Sequence, residues 1–212
     1  MSRCIIIAPL YDGCERELLR PREGDCLICA DGGYAAAVRF GLRPELVIGD
    51  FDSMPPRVFP GCEVLRLPVH KDDTDLEVCL RAGAERGYSE FVIAGAIGGR
   101  LDHTIAALQA AKAAALQGYR VTLVDACNRL SVLTPGSYDL SSPAMEDRFL
   151  SLLAATDRVT GITLTGAEWE LDNAELTSAD PIGTSNRVTG RPMLRFETGL
   201  LYLIRSEDKK TK

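Results

Sequence analysis

The chain of 212 residues lacks a long hydrophobic run and an excess of positive charge. Because a membrane-spanning helix needs about 20 consecutive apolar residues, the sequence predicts no membrane association. The net charge of −6 disfavours a nucleic-acid-binding surface, since such surfaces are strongly basic. The first residues, Met1-Ser-Arg-Cys-Ile-Ile-Ile-Ala-Pro9, have too short an apolar core for a signal peptide, so we expect a strand there.

An even set of cysteines, the usual sign of a disulfide framework, is also missing. The chain has seven cysteines, most of them within apolar segments, which is typical of free thiols in a reducing compartment. Cys26 and Cys29 have the spacing of a CxxC motif, but in a strand their thiols would face opposite ways. We therefore interpret both as core residues and predict a cytoplasmic location.

The hydrophobic fraction of 46% is that of a globular protein with a complete core. Up to residue 127, predicted strands alternate with predicted helices, which favours an α/β fold with a Rossmann-like parallel sheet. Beyond residue 127, short apolar runs are separated by turn residues, a pattern typical of an antiparallel β-sandwich. These predicted turn residues are Pro135-Gly, Gly161, Gly166, Asp172-Asn, Gly190 and Gly199. The sequence thus predicts two domains, residues 1–127 and residues 128–212.

One helix has a clear start signal in the sequence. Thr74 and Glu77 have the spacing of a capping box, in which each side chain bonds a free backbone N–H near the helix start. Apolar or small residues then recur on one helical face as far as Gly83. We predict a helix that begins at this box and ends at Gly87.

The stretch Glu45-Leu-Val-Ile-Gly-Asp-Phe-Asp-Ser53 places two carboxylates, Asp50 and Asp52, just after a short apolar strand. In an extended chain, residues i and i+2 point to the same side. The two anions would therefore repel each other unless a cation lies between them or one retains a proton. Mg²⁺ prefers such oxygen ligands. On this motif alone, an Asp-rich turn that bonds its own backbone is slightly the better explanation.

Acidic residues recur where the other strands of the first half end. They are Asp31, Asp72, Asp73, Asp75 and Asp102. Because the carboxyl ends of parallel strands share one edge of a sheet, Mg²⁺ with a polyphosphate is the natural counter-charge for this many carboxylates. Lys71 and Arg100 lie in the same loops, where they could hold phosphate oxygens. The turn from Gly95 to Gly99 could add backbone N–H donors.

Each of these acidic motifs also has a purely structural explanation. Asp73, Thr74 and Asp102 can cap helices, and Asp31-Gly-Gly33 can form a tight turn. The recurrence of acids at four successive strand ends nevertheless favours a shared metal and phosphate site over four unrelated turns.

Four motifs of the first half, taken in order, resemble the thiamine pyrophosphokinase family. They are Asp31-Gly-Gly33, Gly49-Asp-Phe-Asp-Ser53, Lys71-Asp-Asp-Thr-Asp-Leu-Glu77 and Gly98-Gly-Arg-Leu-Asp-His-Thr104. Two motifs of the second half, Gly166-Ala-Glu-Trp-Glu-Leu171 and Gly183-Thr-Ser-Asn186, resemble the C-terminal motifs of that family. The resemblance covers nearly the whole chain. Ala107 departs from it, because the family has Asn at this position.

The resemblance implies a homodimer that transfers the diphosphate of ATP to the hydroxyl of thiamine and leaves AMP. Residues 1–127 would form the nucleotide- and metal-binding catalytic domain, and residues 128–212 the thiamine-binding domain. The implied Mg²⁺ ligands are Asp50, Asp52 and Asp75. The expected ATP-binding residues are Asp31, Lys71, Thr74 and Arg100, and the expected catalytic residues are Asp75, Asp102 and Arg100. The expected thiamine-binding residues are Trp169, Ser185 and Asn186.

Three other functions are compatible with parts of the sequence. A haloacid-dehalogenase-like phosphatase would use the first Asp of the Asp50-Phe-Asp52 pair as a nucleophile. That motif follows the third strand here rather than the first, and the β half would remain unexplained. A pyrophosphokinase for a pterin acceptor and a nucleotide-binding module without turnover are the other two. Without the family resemblance, Trp169 is better explained as a β-sandwich core residue.

Overall fold

The computed structural model of the chain describes residues 2–14, 16–51, 58–68, 73–141 and 149–208. The chain divides into two compact units, Met1–Ala126 and Cys127–Lys212. In the described part of the chain, no helix is both long and apolar enough to cross a bilayer. The mixed α/β architecture expected from the sequence is confirmed.

The first unit alternates strands with helices around a parallel sheet. Its strands are β1 (Cys4–Ile7), β2 (Cys26–Ala30), β3 (Leu46–Gly49), β4 (Glu63–Arg66), β5 (Glu90–Ala94) and β6 (Arg120–Val124). Its helices are α1 (Arg16–Leu19), α2 (Gly33–Arg39), α3 (Asp75–Glu85) and α4 (Leu101–Leu116). The strands are parallel in the order β4-β3-β2-β1-β5-β6. The order therefore reverses at the β1–β5 pair.

The core of the first unit is built from the apolar strands predicted by the sequence. Every residue of β1 and β2 is buried, as expected for central parallel strands covered on both faces. Cys26 and Cys29 are 2% and 0% exposed, which confirms them as core residues. Burial raises the pKa of the Cys26 thiol to about 11, so it remains protonated at neutral pH.

The predicted capping box at the start of α3 is present. The Glu77 N–H donates to Thr74 Oγ1 at 3.3 Å, and the Thr74 N–H donates to Glu77 Oε2 at 2.8 Å. Val78, Cys79 and Leu80 of α3 are buried. The box therefore fixes where α3 begins, and the apolar face of the helix packs into the core.

The second unit consists of antiparallel strands in two groups. Its strands are β7 (Asn128–Leu133), β8 (Gly136–Asp139), β9 (Phe149–Ala154), β10 (Arg158–Ala167), β11 (Leu171–Thr177), β12 (Val188–Phe196) and β13 (Leu201–Ser206). Within this unit the hydrogen-bonded orders are β7-β13-β9 and β11-β10-β12-β8. One apolar cluster draws Leu150, Leu152 and Leu201 from the first group and Ile162, Leu164 and Phe196 from the second.

Several turns predicted for this half are wrong. Gly161 and Gly166 lie inside β10, Asp172-Asn173 inside β11, and Gly190 inside β12. The β10–β11 and β10–β12 ladders have register shifts near these residues, and Gly161, Gly166 and Asn173 have φ values of 69°, 72° and 45°. A β-bulge needs the same left-handed residues as a turn, so the two are alike in sequence.

Candidate active site

A cavity of about 690 Å³ opens at the carboxyl ends of the parallel strands of the first unit. Its lining includes Ala8 and Pro9, which follow β1, and Gly95 and Ala96, which follow β5. The cavity therefore lies where the strand order reverses, the position at which open parallel sheets bind ligands.

The cavity collects most of the described residues that the sequence had singled out in the first half. Its charged and hydroxyl-bearing lining residues are Asp31, Asp50, Thr74, Asp75, Arg100, Asp102 and His103. They come from the ends of β2 and β3, the starts of α3 and α4, and the loops beside them. Three of the predicted residues, Asp52, Lys71 and Asp72, lie outside the described residues. Asp73 does not line this cavity, and its carboxylate accepts from Arg81 at 2.6 Å. The structure thus gathers four carboxylates and one guanidinium around one cavity.

Asp31 and Asp50 directly follow two neighbouring strands, β2 and β3, and the backbone of Asp31 is bonded to β3. The Asp31 N–H donates to the carbonyl of Ile48 at 2.6 Å, and Asp31 has a φ of 43°. Aspartate tolerates this left-handed conformation better than most residues. The chain therefore turns sharply after β2 and leaves the Asp31 carboxylate beside the end of β3.

The loops after β1 and β5 are bonded to each other. The Ala8 N–H donates to the Ala94 carbonyl at 2.8 Å, and the Leu10 N–H donates to the Gly95 carbonyl at 3.0 Å. Gly95 has a φ of 76°, and a Cβ there would clash with the backbone nitrogen of Tyr11. Only glycine allows this close approach, so the floor of the cavity depends on it.

Thr104 fastens the glycine-rich turn to the first turn of α4. Its Oγ1 accepts a hydrogen bond from the Gly98 N–H at 3.0 Å and lies 3.1 Å from the Gly98 carbonyl, to which the hydroxyl can donate. The turn is therefore held in one conformation next to the N-terminus of a helix of 16 residues. The positive end of such a helix favours anions nearby.

Arg100 and Asp102 form an exposed ion pair at the cavity. Arg100 Nε donates to Asp102 Oδ1 at 3.1 Å, and Arg100 Nη2 donates to Asp102 Oδ2 at 2.6 Å. These bonds lower the pKa of the Asp102 carboxyl below its ordinary value of 3.8. Asp102 is therefore ionised at neutral pH, and it holds the planar guanidinium in a defined orientation.

The donor set of the cavity suits a hard divalent cation. Asp50 and Asp75 both line it, and Mg²⁺ is commonly held by one or two carboxylates together with substrate phosphates. Among the described residues, no three or more His, Cys, Asp or Glu side chains lie close enough together to hold a metal ion by themselves. The residues present therefore fit Mg²⁺ bound together with a phosphate substrate.

Part of the cavity lining is apolar, and the sequence did not identify it. Its residues are Ala8, Pro9, Leu10, Leu76, Ala96, Ala106 and Ala107. Leu10 is 50% exposed although its backbone is bonded to Gly95. The position of Pro9-Leu10 directly after the first strand is the one sequence signal that could have indicated it.

The three residues of the second unit that were predicted to bind thiamine differ in how exposed they are. Trp169 is 59% exposed in the bend between β10 and β11, so it is not a core residue. Ser185 is exposed and has a φ of 61°. Asn186 is only 9% exposed, and its amide bonds the backbone of Trp169. Only Trp169 and Ser185 offer exposed side chains to a ligand.

A parallel sheet with a charged cavity at its switch point, joined to an antiparallel unit, defines a ligand-binding α/β protein. Comparison with known proteins identifies the family. The family model described as thiamin pyrophosphokinase, catalytic domain, matches residues 22–123. The model described as thiamin pyrophosphokinase, vitamin B1 binding domain, matches residues 137–201. The chain belongs to the thiamine pyrophosphokinase family, as its sequence motifs indicated.

Relatives along nearly the whole chain support this assignment. The thiamine pyrophosphokinase of Bacillus subtilis is 28% identical over 187 residues, which cover 85% of this chain and 87% of the relative. A crystal structure of the Bacillus subtilis enzyme superimposes with a TM-score of 0.86 at 26% identity, covering 98% of this chain and 100% of that one. For thiamin pyrophosphokinase from Geobacillus thermodenitrificans the TM-score is 0.80 at 28% identity, with 99% of each chain covered.

Proposed function

We propose that this protein transfers the diphosphate of ATP to the hydroxyl of thiamine, giving thiamine diphosphate and AMP. The observation that carries the proposal is the single cavity lined by Asp31, Asp50, Asp75, Asp102 and Arg100 in a chain of this family. Such a set of charges suits a bound metal–triphosphate. The vitamin B1 binding domain matched by the second half favours thiamine over a pterin as the acceptor.

In this proposal, Asp50 and Asp75 hold Mg²⁺, and Asp52 completes the ligand set expected from the sequence. When bound, Mg²⁺ supplies the positive charge that neutralises the phosphate oxygens of the donor. The two carboxylates orient the donor by fixing where that charge lies. Positioning and charge neutralisation supply most of the rate enhancement in phosphoryl transfer, so this orientation is the main task of the site.

Arg100 is the phosphate-binding cation of the described residues that line the cavity. Its guanidinium is already oriented by Asp102 and can present its remaining N–H groups to phosphate oxygens. The backbone between Gly95 and Gly99 adds uncharged donors. The N–H and the hydroxyl of Thr74 both donate to Glu77 Oε2, so we assign Thr74 to the ATP site on the family resemblance. We assign Asp31 and Lys71 to the ATP site as well, on the family resemblance.

The reaction forms a bond between the thiamine hydroxyl oxygen and the β-phosphorus. It breaks the bond from that phosphorus to the oxygen that bridges the α- and β-phosphates, and this oxygen leaves with AMP. The hydroxyl proton needs an acceptor, for which the sequence suggested Asp75 or Asp102. Both carboxylate oxygens of Asp102 already accept hydrogen bonds from Arg100, so we assign proton acceptance to Asp75 and orientation of Arg100 to Asp102.

The second unit supplies the thiamine-binding surface in this proposal. Thiamine has a cationic thiazolium ring, and the exposed face of Trp169 is suited to stack on a flat cation. Ser185 offers an exposed hydroxyl on the neighbouring segment.

The apolar cluster shared by the two strand groups of the second unit supports the sandwich fold expected from the sequence. The reversed strand order supports a Rossmann-like fold for the first unit.

The homodimer, the cytoplasmic location and the domain boundaries at residues 127 and 128 remain predictions of this proposal.

The proposed reaction is tested by incubating the purified protein with Mg-ATP and thiamine, followed by chromatography of the nucleotides and of thiamine. Equal amounts of AMP and thiamine diphosphate are expected. AMP formation with a pterin but not with thiamine would identify the other acceptor class. Nucleotide binding without any product would identify a module without turnover.

A further inference from the structure

Asn186 is a buried polar residue whose side-chain amide is almost fully occupied by hydrogen bonds to backbone groups. It is 9% exposed, and three of the four hydrogen-bonding positions of its amide have partners. We propose that Asn186 is a positioning residue that fixes Trp169 for the ligand and does not contact the ligand itself. This inference rests on the proposed function, in which Trp169 stacks on thiamine.

The amide of Asn186 binds both backbone polar groups of Trp169. Asn186 Oδ1 accepts from the Trp169 N–H at 3.0 Å, and Asn186 Nδ2 donates to the Trp169 carbonyl at 2.7 Å. The same Oδ1 also accepts from the Arg187 N–H at 2.8 Å. The side chain therefore takes the place of a strand at the bend, because it pairs with the backbone there as a neighbouring strand would.

Asn186 is itself anchored to the core of the second unit. Its backbone exchanges two hydrogen bonds with Leu150, one of 2.9 Å from the Asn186 N–H and one of 2.8 Å from the Leu150 N–H. Leu150 is fully buried in β9. In addition, the N–H of Ser185 donates to the Oγ of the buried Ser151 at 3.0 Å. The amide that holds Trp169 is thus attached to the buried core of this unit.

Trp169 gains from such an anchor, although the bend is also held by the Glu168 N–H, which donates to the Arg187 carbonyl at 2.9 Å, and by the Gly166 N–H, which donates to Glu170 Oε1 at 2.7 Å. Trp169 is 59% exposed, so burial stabilises its position less than it would that of a core tryptophan. It lies in a bend between β10 and β11, whose residues Glu168 and Glu170 are exposed. A binding ring that is ordered before the ligand arrives does not lose conformational entropy on binding. Asn186 supplies this order through the backbone and leaves the ring face open.

The experiment compares Asn186→Asp and Asn186→Ala with the parent protein. Asn186→Asp keeps the shape and the acceptor but replaces the donor to the Trp169 carbonyl with an oxygen. Trp169 is the only tryptophan in the chain, so the anisotropy and acrylamide quenching of its fluorescence report on this bend directly. We expect lower anisotropy, stronger quenching and an increase of about tenfold in the KM for thiamine, with the KM for ATP within about twofold. Thr184→Val, which removes a hydroxyl bonded to the Pro181 carbonyl in the same segment, is the matched control and should change none of these quantities.

A double-mutant cycle with Trp169→Ala separates positioning from direct contact. If Asn186 acts only through Trp169, adding Asn186→Ala to Trp169→Ala should not raise the KM for thiamine further. Additive effects would show that Asn186 contacts thiamine itself and would overturn the inference. Unchanged Trp169 fluorescence in both single variants would also overturn it. Because the fluorescence needs no turnover, it tests the inference even if the parent protein forms no thiamine diphosphate, a result that would refute the proposed function alone.

Discussion

Gly49 lies so close to Asp31 that a Cβ on Gly49 would come within 2.9 Å of Asp31 Oδ1 and 3.0 Å of Asp31 Cα. Gly49 ends β3, and Asp31 directly follows the neighbouring strand β2. Their close approach brings the Asp31 carboxylate beside the residue that precedes Asp50. The geometry of the acidic cavity therefore depends on position 49 being glycine, which has no side chain.

Gly49→Ala should displace Asp31 and lower activity. The overpacking should also reduce the free energy of unfolding by about 1–3 kcal/mol, because backbone as well as side-chain atoms of Asp31 must move. Activity per folded molecule and the melting temperature are the two measurements. Gly190→Ala is the control, since a Cβ there meets its nearest neighbour at 3.7 Å, an ordinary contact. A Gly49→Ala enzyme with parental activity would show that the position of Asp31 does not matter.

Asp50→Asn should abolish AMP formation, because the variant removes the negative charge that holds Mg²⁺ in the proposed site. Removal of divalent metal with EDTA should have the same effect on the parent protein, and added Mg²⁺ should restore activity. Asp12→Asn is a suitable control, because Asp12 is an exposed carboxylate of the same unit that accepts from the Cys14 N–H and does not line the cavity. Trapping of a phospho-aspartate at Asp50 would contradict this role and indicate the phosphatase chemistry.

Arg100→Lys should lower kcat by about 100-fold, the order of magnitude seen when one preorganised donor to a developing charge is lost. Lysine keeps the charge but cannot reproduce the planar, two-bonded geometry that Asp102 imposes. Arg191→Lys is a suitable control, because Arg191 also uses Nε and Nη2 to bond an exposed carboxylate, in this case one oxygen, Oδ2 of Asp139, at 3.2 Å and 2.6 Å. Equal losses in the two variants would assign the effect to ion pairing in general rather than to phosphate binding.

Asp25 and Arg3 form an ion pair with side chains only 1% and 4% exposed, and this pair gives stability a pH dependence. Burial alone would raise the pKa of Asp25, but hydrogen bonds from the Arg3 side chain and from the Arg3 and Arg22 N–H groups lower it below 3.8. The stabilisation is therefore complete above the ordinary pKa of 3.8 and is lost as the pH falls through the lower folded value.

Asp25→Asn should cost about 3–5 kcal/mol at neutral pH, because it leaves a buried guanidinium without its counter-charge. Urea unfolding at a series of pH values checks both statements. Below about pH 4, the stability of the parent should fall more steeply than that of the variant. Parallel pH curves for the two proteins would show that Asp25 does not titrate as described.

Much of the first unit could be predicted from the sequence because its signals are local. Short apolar runs become buried strands, and the Thr74–Glu77 spacing forms the capping box it indicates. The strand-end carboxylates meet because parallel strands share one edge, a rule that needs no knowledge of the strand order.

The remaining features depend on contacts between distant parts of the chain. Leu10 lines the cavity only because the strand order reverses beside β1, and the sequence does not show this reversal. The bulges at Gly161 and Asn173 resemble turns, since both need a left-handed residue. Asn186 is buried and bonded to Trp169, 17 residues earlier in the chain. The residue type and spacing of Asn186 in the sequence do not reveal this contact.

The fate of the γ-phosphate tests the central claim most directly. ATP labelled at the γ-phosphate is incubated with the protein, Mg²⁺ and thiamine, and the products are separated. Diphosphate transfer predicts that the label appears in thiamine diphosphate in an amount equal to the AMP formed. Label recovered as inorganic phosphate, with ADP in place of AMP and thiamine unchanged, would contradict the account.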